Sequence, residues 1–260
     1  MTEVREMVLT VDIGNTNITL GIFDKDRPVA SARLSTNVSE TRDEYAAGLL
    51  AVLSLHGVTR EQVDGAIISS VVPPLNIVLQ DAILFAFGVR ALMVGPGIKS
   101  GINIHCDHPA SVGTDLICAC VAVNAQYGSP ALIVDMGTAT KMMVMDKKGT
   151  FTGVSIMPGV LMGLRALSDG TAQLPHVSPE GALPLVAKNT ADAMRSGVIL
   201  GHASLIDGMI DRFCAALGGE VPVYATGGMA PLVVGHCRHA ITPDEQLVLK
   251  GLNILYHKNK

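Results

Sequence analysis

Tryptophan is absent from the 260 residues, and the aromatic complement is four Tyr and five Phe. With 48% hydrophobic residues and 12 Met, the core must be filled by aliphatic and thioether side chains. Charge is scarce as well, since Asp, Glu, Lys and Arg make up 16% of the chain. A sequence so rich in apolar residues and so poor in charge excludes an intrinsically disordered protein. There is no basic excess: 19 Lys and Arg stand against 23 Asp and Glu. Nucleic-acid binders carry a basic face, so no nucleic-acid partner is expected. A run of about 18 apolar residues, the length that spans a bilayer, does not occur, and no membrane partner is expected. Met1 to Met7 is charged and mixed in sign, without the apolar centre of a signal peptide. A cytoplasmic location is the expectation that follows. The five cysteines are odd in number, so Cys106, Cys118, Cys120, Cys214 and Cys237 are expected as free thiols. Cys118 and Cys120 lie in the apolar run from Ile117 to Val123 and are expected to be small buried residues.

What the sequence has is a repeated turn. Val11-Asp12-Ile13-Gly14-Asn15-Thr16-Asn17 is an apolar strand ending in an acid, then a Gly turn with amide and hydroxyl side chains, then a second apolar strand. Val134-Asp135-Met136-Gly137-Thr138-Ala139-Thr140 repeats it about half a chain later. The length suits one large domain or two ordinary ones, and the repeat favours two, divided as 1–112 and 113–260.

In chain order, Met7 to Ile13, Asn17 to Phe23 and Val29 to Leu34 are predicted strands of a meander. Thr41 to Leu55 has helical spacing through Tyr45, Leu49, Val52 and Leu53, and stops near Gly57. Gly65 to Val72, largely apolar and closed by Pro73-Pro74, predicts a buried parallel strand. Leu75 to Phe87 is a helix pattern and Ala91 to Val94 a strand, so the first half reads β-β-β-α-β-α-β. Gly95 to Val112 is a connection, and Asp115 to Ala125 a helix. The meander then restarts with Ala131 to Asp135, Lys141 to Asp146 and Phe151 to Ile156, followed by a helix at Leu161 to Leu167. Ser168 to Thr190 is a proline-broken loop, and Ala191 to Leu217 a long helix with Gly197 and Gly201 as candidate breaks. Val221 to Ala225 is a strand leading into Thr226-Gly227-Gly228, with a short helix over Met229 to Val234. Thr242 as N-cap, Pro243 at N1 and Glu245 at N3 are expected to open the last helix. Two such α/β halves facing each other leave a cleft at their strand ends, where ligands sit in such folds.

A tight Gly-Asn-Thr turn presents backbone N–H groups, an amide and a hydroxyl to one point, a geometry that suits phosphate. An acid just before it can hold Mg²⁺ or its waters against phosphate oxygens. An ordinary hairpin also uses Asn and Gly, but the same acid in the same register at Asp135 weighs against that reading. Thr226-Gly227-Gly228 after a strand fits a place where backbone approaches a flat ligand such as a nucleoside. Asp115 near a helix start suits a base that must stay ionised, because the positive helix end favours its charge. His105-Cys106-Asp107-His108 and the group His236, Cys237, His239 hold metal-binding side chains. Adjacent residues rarely converge on one tetrahedral ion, so loops are the expectation for both.

Taken in order, Asp12-Ile13-Gly14-Asn15-Thr16, Gly95-Pro96-Gly97-Ile98-Lys99-Ser100-Gly101, Val112-Gly113-Thr114-Asp115, Asp135-Met136-Gly137-Thr138-Ala139-Thr140, Pro158-Gly159, Asn189-Thr190 and Ala225-Thr226-Gly227-Gly228 form a specific set. Over nearly the whole chain it resembles the acetate-kinase, sugar-kinase and actin superfamily, and within it the type III pantothenate kinases. The resemblance implies an α/β, duplicated ribonuclease H-like (actin-like ATPase) fold, two β-β-β-α-β-α-β halves around a nucleotide cleft. It implies ATP-dependent phosphorylation of pantothenate to 4'-phosphopantothenate, the first step of coenzyme A biosynthesis. Asp12, Ile13, Gly14, Asn15, Thr16, Asn17, Ile18 and Thr19 would cradle the ATP phosphates, with Asp12 also toward Mg²⁺. Thr138, Gly227 and Gly228 would contact ATP. Asp115 would be the catalytic base that takes the proton of the attacking hydroxyl. Asp135 would bind a monovalent cation, K⁺ or NH₄⁺. Cys106, Gly113, Thr114, Asp115, Leu116 and Thr190 would line the pantothenate side, and the working form would be a homodimer.

The chain departs from that family's pattern on the acceptor side. Gly113-Thr114-Asp115-Leu116 stands where the family has Gly-Ala-Asp-Arg, and Cys106 where it usually has Tyr. Loss of one charged hydrogen-bond partner costs about 1.5–3 kcal/mol, with Lys141 or Arg165 as candidate substitutes. Gly-Thr-Ala-Thr-Thr-Phe-Asp becomes Gly137-Thr138-Ala139-Thr140-Lys141-Met142-Met143, which adds a cation and removes an acid. A kinase of another small hydroxylated substrate, or a non-catalytic nucleotide-binding paralogue, is the alternative these departures imply.

Overall fold

An apolar strand that ends at a glycine turn and resumes as another apolar strand folds back on itself, and this happens twice. In the computed structural model, which describes residues 7–260, β1 (Met7–Ile13) turns antiparallel into β2 (Asn17–Asp24), and β2 into β3 (Arg27–Ser35). α1 (Arg42–Leu55) starts at a capping box in which the Thr41 hydroxyl accepts from the Glu44 N–H and the Glu44 carboxylate accepts from the Thr41 N–H. β4 (Val63–Ser70) lies parallel to β1, and α2 (Leu75–Phe87) leads to β5 (Ala91–Met93), parallel to β4. A short β6 (Asn103–Ile104) precedes α3 (Thr114–Gln126). β7 (Ala131–Met136), β8 (Ala139–Met145) and β9 (Thr150–Pro158) repeat the meander. α4 (Val160–Asp169), α5 (Thr190–Leu217), β10 (Val223–Thr226), α6 (Ala230–Val233), β11 (Ile241–Pro243) and α7 (Leu247–Asn259) complete the order.

The first sheet runs β3-β2-β1-β4-β5 and the second β11-β10-β7-β8-β9-β6. From β9 to β11 the second order repeats the first, with β6 added beside β9. The duplication expected from the two turns is therefore a duplication of sheet topology.

The folded units are not divided at 112/113. One comprises the chain up to Ile102 with Asp107–Gln126 and Leu247–Lys260, and the other Asn103–Cys106 with Tyr127–Gln246. The last helix belongs to the first unit because of a packing detail that a sequence repeat does not show. α7 lies so close to α3 that a Cβ on Gly251 would collide with the Cys118 carbonyl. In the first unit, Tyr45, Leu49, Leu53, Leu79 and Ile83 of α1 and α2 cover Leu9, Val11, Ile13, Ile18 and Leu20. In the second, Ile199, Ala203, Ile206 and Ile210 of α5 pack on Leu132, Val134, Met142 and Val223.

Three expectations are corrected. α5 is one unbroken helix of 28 residues through Gly197 and Gly201. Each interior Gly costs about 1 kcal/mol, whereas each buried Ile contributes about 1.5–3 kcal/mol, and the stripe at 199, 206 and 210 outweighs the glycines. Thr242-Pro243 does not open the last helix; Ile241–Pro243 is a strand parallel to β10, and α7 starts at Leu247. Asp244 makes the break: its N–H donates to the Ala225 carbonyl at 2.7 Å, and its carboxylate accepts from the Gln246 N–H at 3.1 Å. β6 was not expected at all, being two residues that pair with β9 only in the folded sheet. The proline-broken stretch is irregular from Gly170 to Asn189, tied down by the Arg195 guanidinium, which donates to the carbonyls of Ser178 (3.1 Å) and Ala182 (3.3 Å). Among the described residues no helix is long and apolar enough to cross a membrane.

The α3–α7 contact gives a stability prediction. Gly251→Ala should lower the free energy of unfolding by about 1–3 kcal/mol, the range for overpacking a tight contact. Urea unfolding measures it, and an unchanged midpoint would show that the two helices are not in the close contact described.

Candidate functional site

Side chains along β1 alternate between faces. Leu9, Val11 and Ile13 enter the core under α1 and α2, so Thr10 and Asp12 point to the other face. Asp12 is aligned with Thr19 on β2 and with Ser69 on β4. The Ser69 hydroxyl lies 3.0 Å from that of Thr114, the first residue of α3. The Thr114 hydroxyl also accepts from the Ser70 N–H (3.1 Å) and lies 3.2 Å from the Ser70 carbonyl, toward which it can donate. These bonds hold the α3 N-terminus at the end of the central parallel strands, where α/β folds place ligands.

Asp115 is the next residue, 8% exposed, in the first turn of α3. Its carboxylate folds back over Gly113, where a Cβ would collide with it. One turn on stands Cys118, fully buried. Burial pushes its thiol well above the ordinary value, the carboxylates of Asp12 and Asp115 push the same way, and a Ser69 hydrogen bond opposes them. The thiol therefore stays protonated and is no nucleophile. Asp12 is thus joined to the start of the Asp115 helix through Ser69, its neighbour on β4, and Thr114.

The turn itself is tight. Gly14 N–H donates to the Asn17 carbonyl at 3.0 Å, and Thr36 pins it from outside, its hydroxyl donating to the Gly14 carbonyl (2.6 Å) and its N–H to the Thr16 carbonyl (3.1 Å). Asn15, Thr16 and Asn17 are exposed at the tip and Thr19 is half-buried. Ile13 and Ile18 are fully buried, so they can offer a ligand only backbone. Leu116 is 5% exposed, a core side chain at the foot of the site helix.

The second unit builds its own cluster on Asp135. Gly227 adopts φ +91, and a Cβ there would lie 2.6 Å from the Met136 carbonyl and 2.7 Å from Asp135 Oδ1. Only glycine allows that approach. Gly159 is packed as closely on the carbonyls of Gly137 and Thr138, and nothing lies within 4 Å of the Cβ position of Gly228. Thr138 is exposed at the loop tip. Lys141 places its ammonium 2.9 Å from Asp135 Oδ2, with side-chain exposures of 19% and 13%. Lys141 is thus an ion-pair partner of Asp135, a use that the departure from the family pattern did not reveal. Beside it, Thr140 is buried and its hydroxyl lies 2.8 Å from His202 Nε2. Cys106 is half-buried just after β6, and Thr190 is exposed at the first position of α5, whose cap is the Asn189 side chain accepting from the Asp192 N–H.

Ser69 and Thr36 were missed in the sequence, being ordinary hydroxyls until β4 and β3 are placed beside the turn. Among the described residues no group of three or more His, Cys, Asp or Glu side chains converges as a metal site. His239 instead bonds to Asp211 (2.7 Å), and Asp207 accepts from the N–H groups of Arg238 and His239.

Residues 8–212 match the family model for type III pantothenate kinase. A protein of that name from Exiguobacterium sp. is 39% identical over 98% of this chain and its own full length. One from Geobacter sulfurreducens is 40% identical with the same coverage. Among solved structures, a Baf family protein from Campylobacter jejuni aligns with a TM-score of 0.61 at 20% identity, covering 96% of this chain and 98% of that one. The activator of 2-hydroxyisocaproyl-CoA dehydratase from Clostridium difficile, solved with bound ADPNP, aligns with a TM-score of 0.53 at 13% identity, covering 97% and 94%. At such identities the two structures speak to the fold alone. The fold is the duplicated α/β, actin-like one that the family resemblance implied.

His202 gives the second unit a pH signature. Burial lowers its pKa from the ordinary 6.5, so the folded state prefers the neutral ring. The stability this contributes is complete above 6.5 and is lost as the pH falls through the lowered folded value. The Tm of the wild type should therefore fall on acidification below about 6.5 more steeply than that of His202→Gln. Parallel Tm–pH profiles would contradict it.

Proposed function

This chain belongs to the type III pantothenate kinase family, and we propose that it transfers the γ-phosphoryl group of ATP to the primary hydroxyl of pantothenate. The product is 4'-phosphopantothenate, at the entry to coenzyme A biosynthesis. The observation that carries this reading is that Asp12, at the end of β1 beside the Gly14–Asn17 turn, faces Ser69, whose hydroxyl meets that of Thr114 next to Asp115.

The roles follow from the positions. The turn, with Asn15, Thr16 and Asn17 at its exposed tip, cradles the phosphate chain through backbone N–H groups and short polar side chains. Asp12, at the strand end with an oxygen-only donor, suits Mg²⁺ or its waters. When bound, that ion neutralises the charge that develops on the transferring phosphoryl group. Asp115 accepts the proton of the attacking hydroxyl, and the Thr114 clamp fixes its place. In the second unit, the glycines at 227 and 228 let a flat nucleoside approach the backbone, with Thr138 at hand. In the first unit Gly113 and Thr114 stand beside Asp115, and the buried Leu116 puts an apolar core side chain where the family has a charge; Cys106 and Thr190 are the acceptor-side candidates of the second unit.

A cytoplasmic homodimer is the working form in this reading. The large apolar side chains exposed at Val154, Ile156, Met162 and Leu205 of the second unit support it. The monovalent cation implied for Asp135 does not fit, because Lys141 already places a positive charge on that carboxylate.

Asp115→Asn should lower kcat by about 10²- to 10⁴-fold, the contribution of a positioned base, with the Kd for Mg-ATP held within about threefold. A coupled ADP-release assay with pantothenate measures the first and calorimetry the second. Wild-type turnover no faster than that of Asp115→Asn would refute the reading.

A further inference from the structure

The two turns differ by one residue, and the difference decides what sits across from the acid. In the first, Ile13 pairs with Ile18, leaving four loop residues, and Asp12 faces Thr19. In the second, Met136 pairs with Thr140, leaving three, and Asp135 faces Lys141. Directly opposed residues of an antiparallel pair project from the same face with their Cβ atoms about 5 Å apart. The register therefore delivers the Lys141 ammonium to Asp135 Oδ2, at 2.9 Å, in a largely buried setting. The other oxygen, Oδ1, lies against the backbone of Gly227. A carboxylate this far from water needs a counter-charge, and here the chain supplies it covalently.

From this we infer that Lys141 is a built-in cation that replaces an alkali or ammonium ion in the second unit. It is a positioning residue: by neutralising Asp135 it holds the three glycine-rich loops at 137–138, 159 and 227 around that acid. The kinase is then indifferent to K⁺ and NH₄⁺. Removing the ammonium while keeping the carboxylate opens a site of oxygen donors that a monovalent cation can fill. The kinetic part of this inference rests on the function proposed above; the binding part does not.

The test uses Lys141→Met, which keeps an apolar stem without the charge, in buffers of constant ionic strength containing KCl, NH₄Cl or choline chloride. Two readouts are taken, the Tm without substrates and kcat/KM with ATP, Mg²⁺ and pantothenate. Wild type should give the same Tm and the same kcat/KM, within twofold, in all three salts. Lys141→Met should lose at least tenfold in kcat/KM in choline, recover with K⁺ or NH₄⁺, and gain Tm with rising K⁺, as a ligand that binds only the folded state requires. Lys141→Arg should behave as wild type. Asp135→Asn/Lys141→Met, with both charges gone, should fold and show no K⁺ response. A tenfold loss of wild-type kcat/KM in choline would overturn the inference. So would a Tm of Lys141→Met that ignores K⁺ while the double variant folds normally. If no protein turns over pantothenate, the Tm series still decides the cation question, so failure of the functional reading is told apart from failure of this one.

Discussion

A carboxylate at the end of a central strand, half out of water, must be balanced by positive charge or by hydrogen-bond donors. The two units of this chain meet that constraint differently. In the second, the balance is internal, with Lys141 on Asp135 and the Gly227 backbone against the remaining oxygen. In the first, Asp12 stands between Thr19 and Ser69, and the Ser69 hydroxyl meets that of Thr114, the neighbour of Asp115. In the function proposed above, Asp12 beside the turn meets a divalent ion and the phosphates it accompanies, and Asp115 meets the acceptor hydroxyl. The asymmetry between the halves is thus an asymmetry of function laid on a duplicated sheet.

Its structural origin is small. One residue fewer in the second loop changes the cross-strand neighbour of the acid from Thr19 to Lys141. A hydroxyl stands opposite Asp12 and an ammonium opposite Asp135, which in the proposed reading is the difference between an exchangeable and a built-in cation. The helices then fix what the strands begin. Thr114 ties α3 to the end of β4, and glycine at 251 lets α7 press on α3 from behind, so the carboxylate assigned as base rides on a clamped helix.

Much of this was legible in the sequence, and the limits have physical causes. The meander strands, α1, α2 and the parallel β4 follow from apolar periodicity and glycine or proline stops, all local signals. Asp12, Asp115 and the glycine turns were visible because turn chemistry is local too. The allegiance of α7 to the first unit was hidden, since it depends on a helix–helix contact between residues 118 and 251. Pro243 misled because a proline two residues before an acid reads as a helix start, yet Asp244 uses its backbone to extend the sheet. Lys141 was noticed as an added cation, but its partner depends on loop length and register, which only the folded hairpin supplies.

In the proposed mechanism Asp12 and its turn anchor the phosphate end of ATP through a divalent ion. Calorimetric titration of Mg-ATP into wild type and Asp12→Asn, repeated with EDTA in place of Mg²⁺, tests it most directly. Loss of a charged partner worth about 1.5–3 kcal/mol corresponds to a Kd weakened about 10- to 150-fold in Mg²⁺, and the gap should shrink when the ion is removed. Equal Kd values for the two proteins in Mg²⁺, with both fully folded, would contradict it.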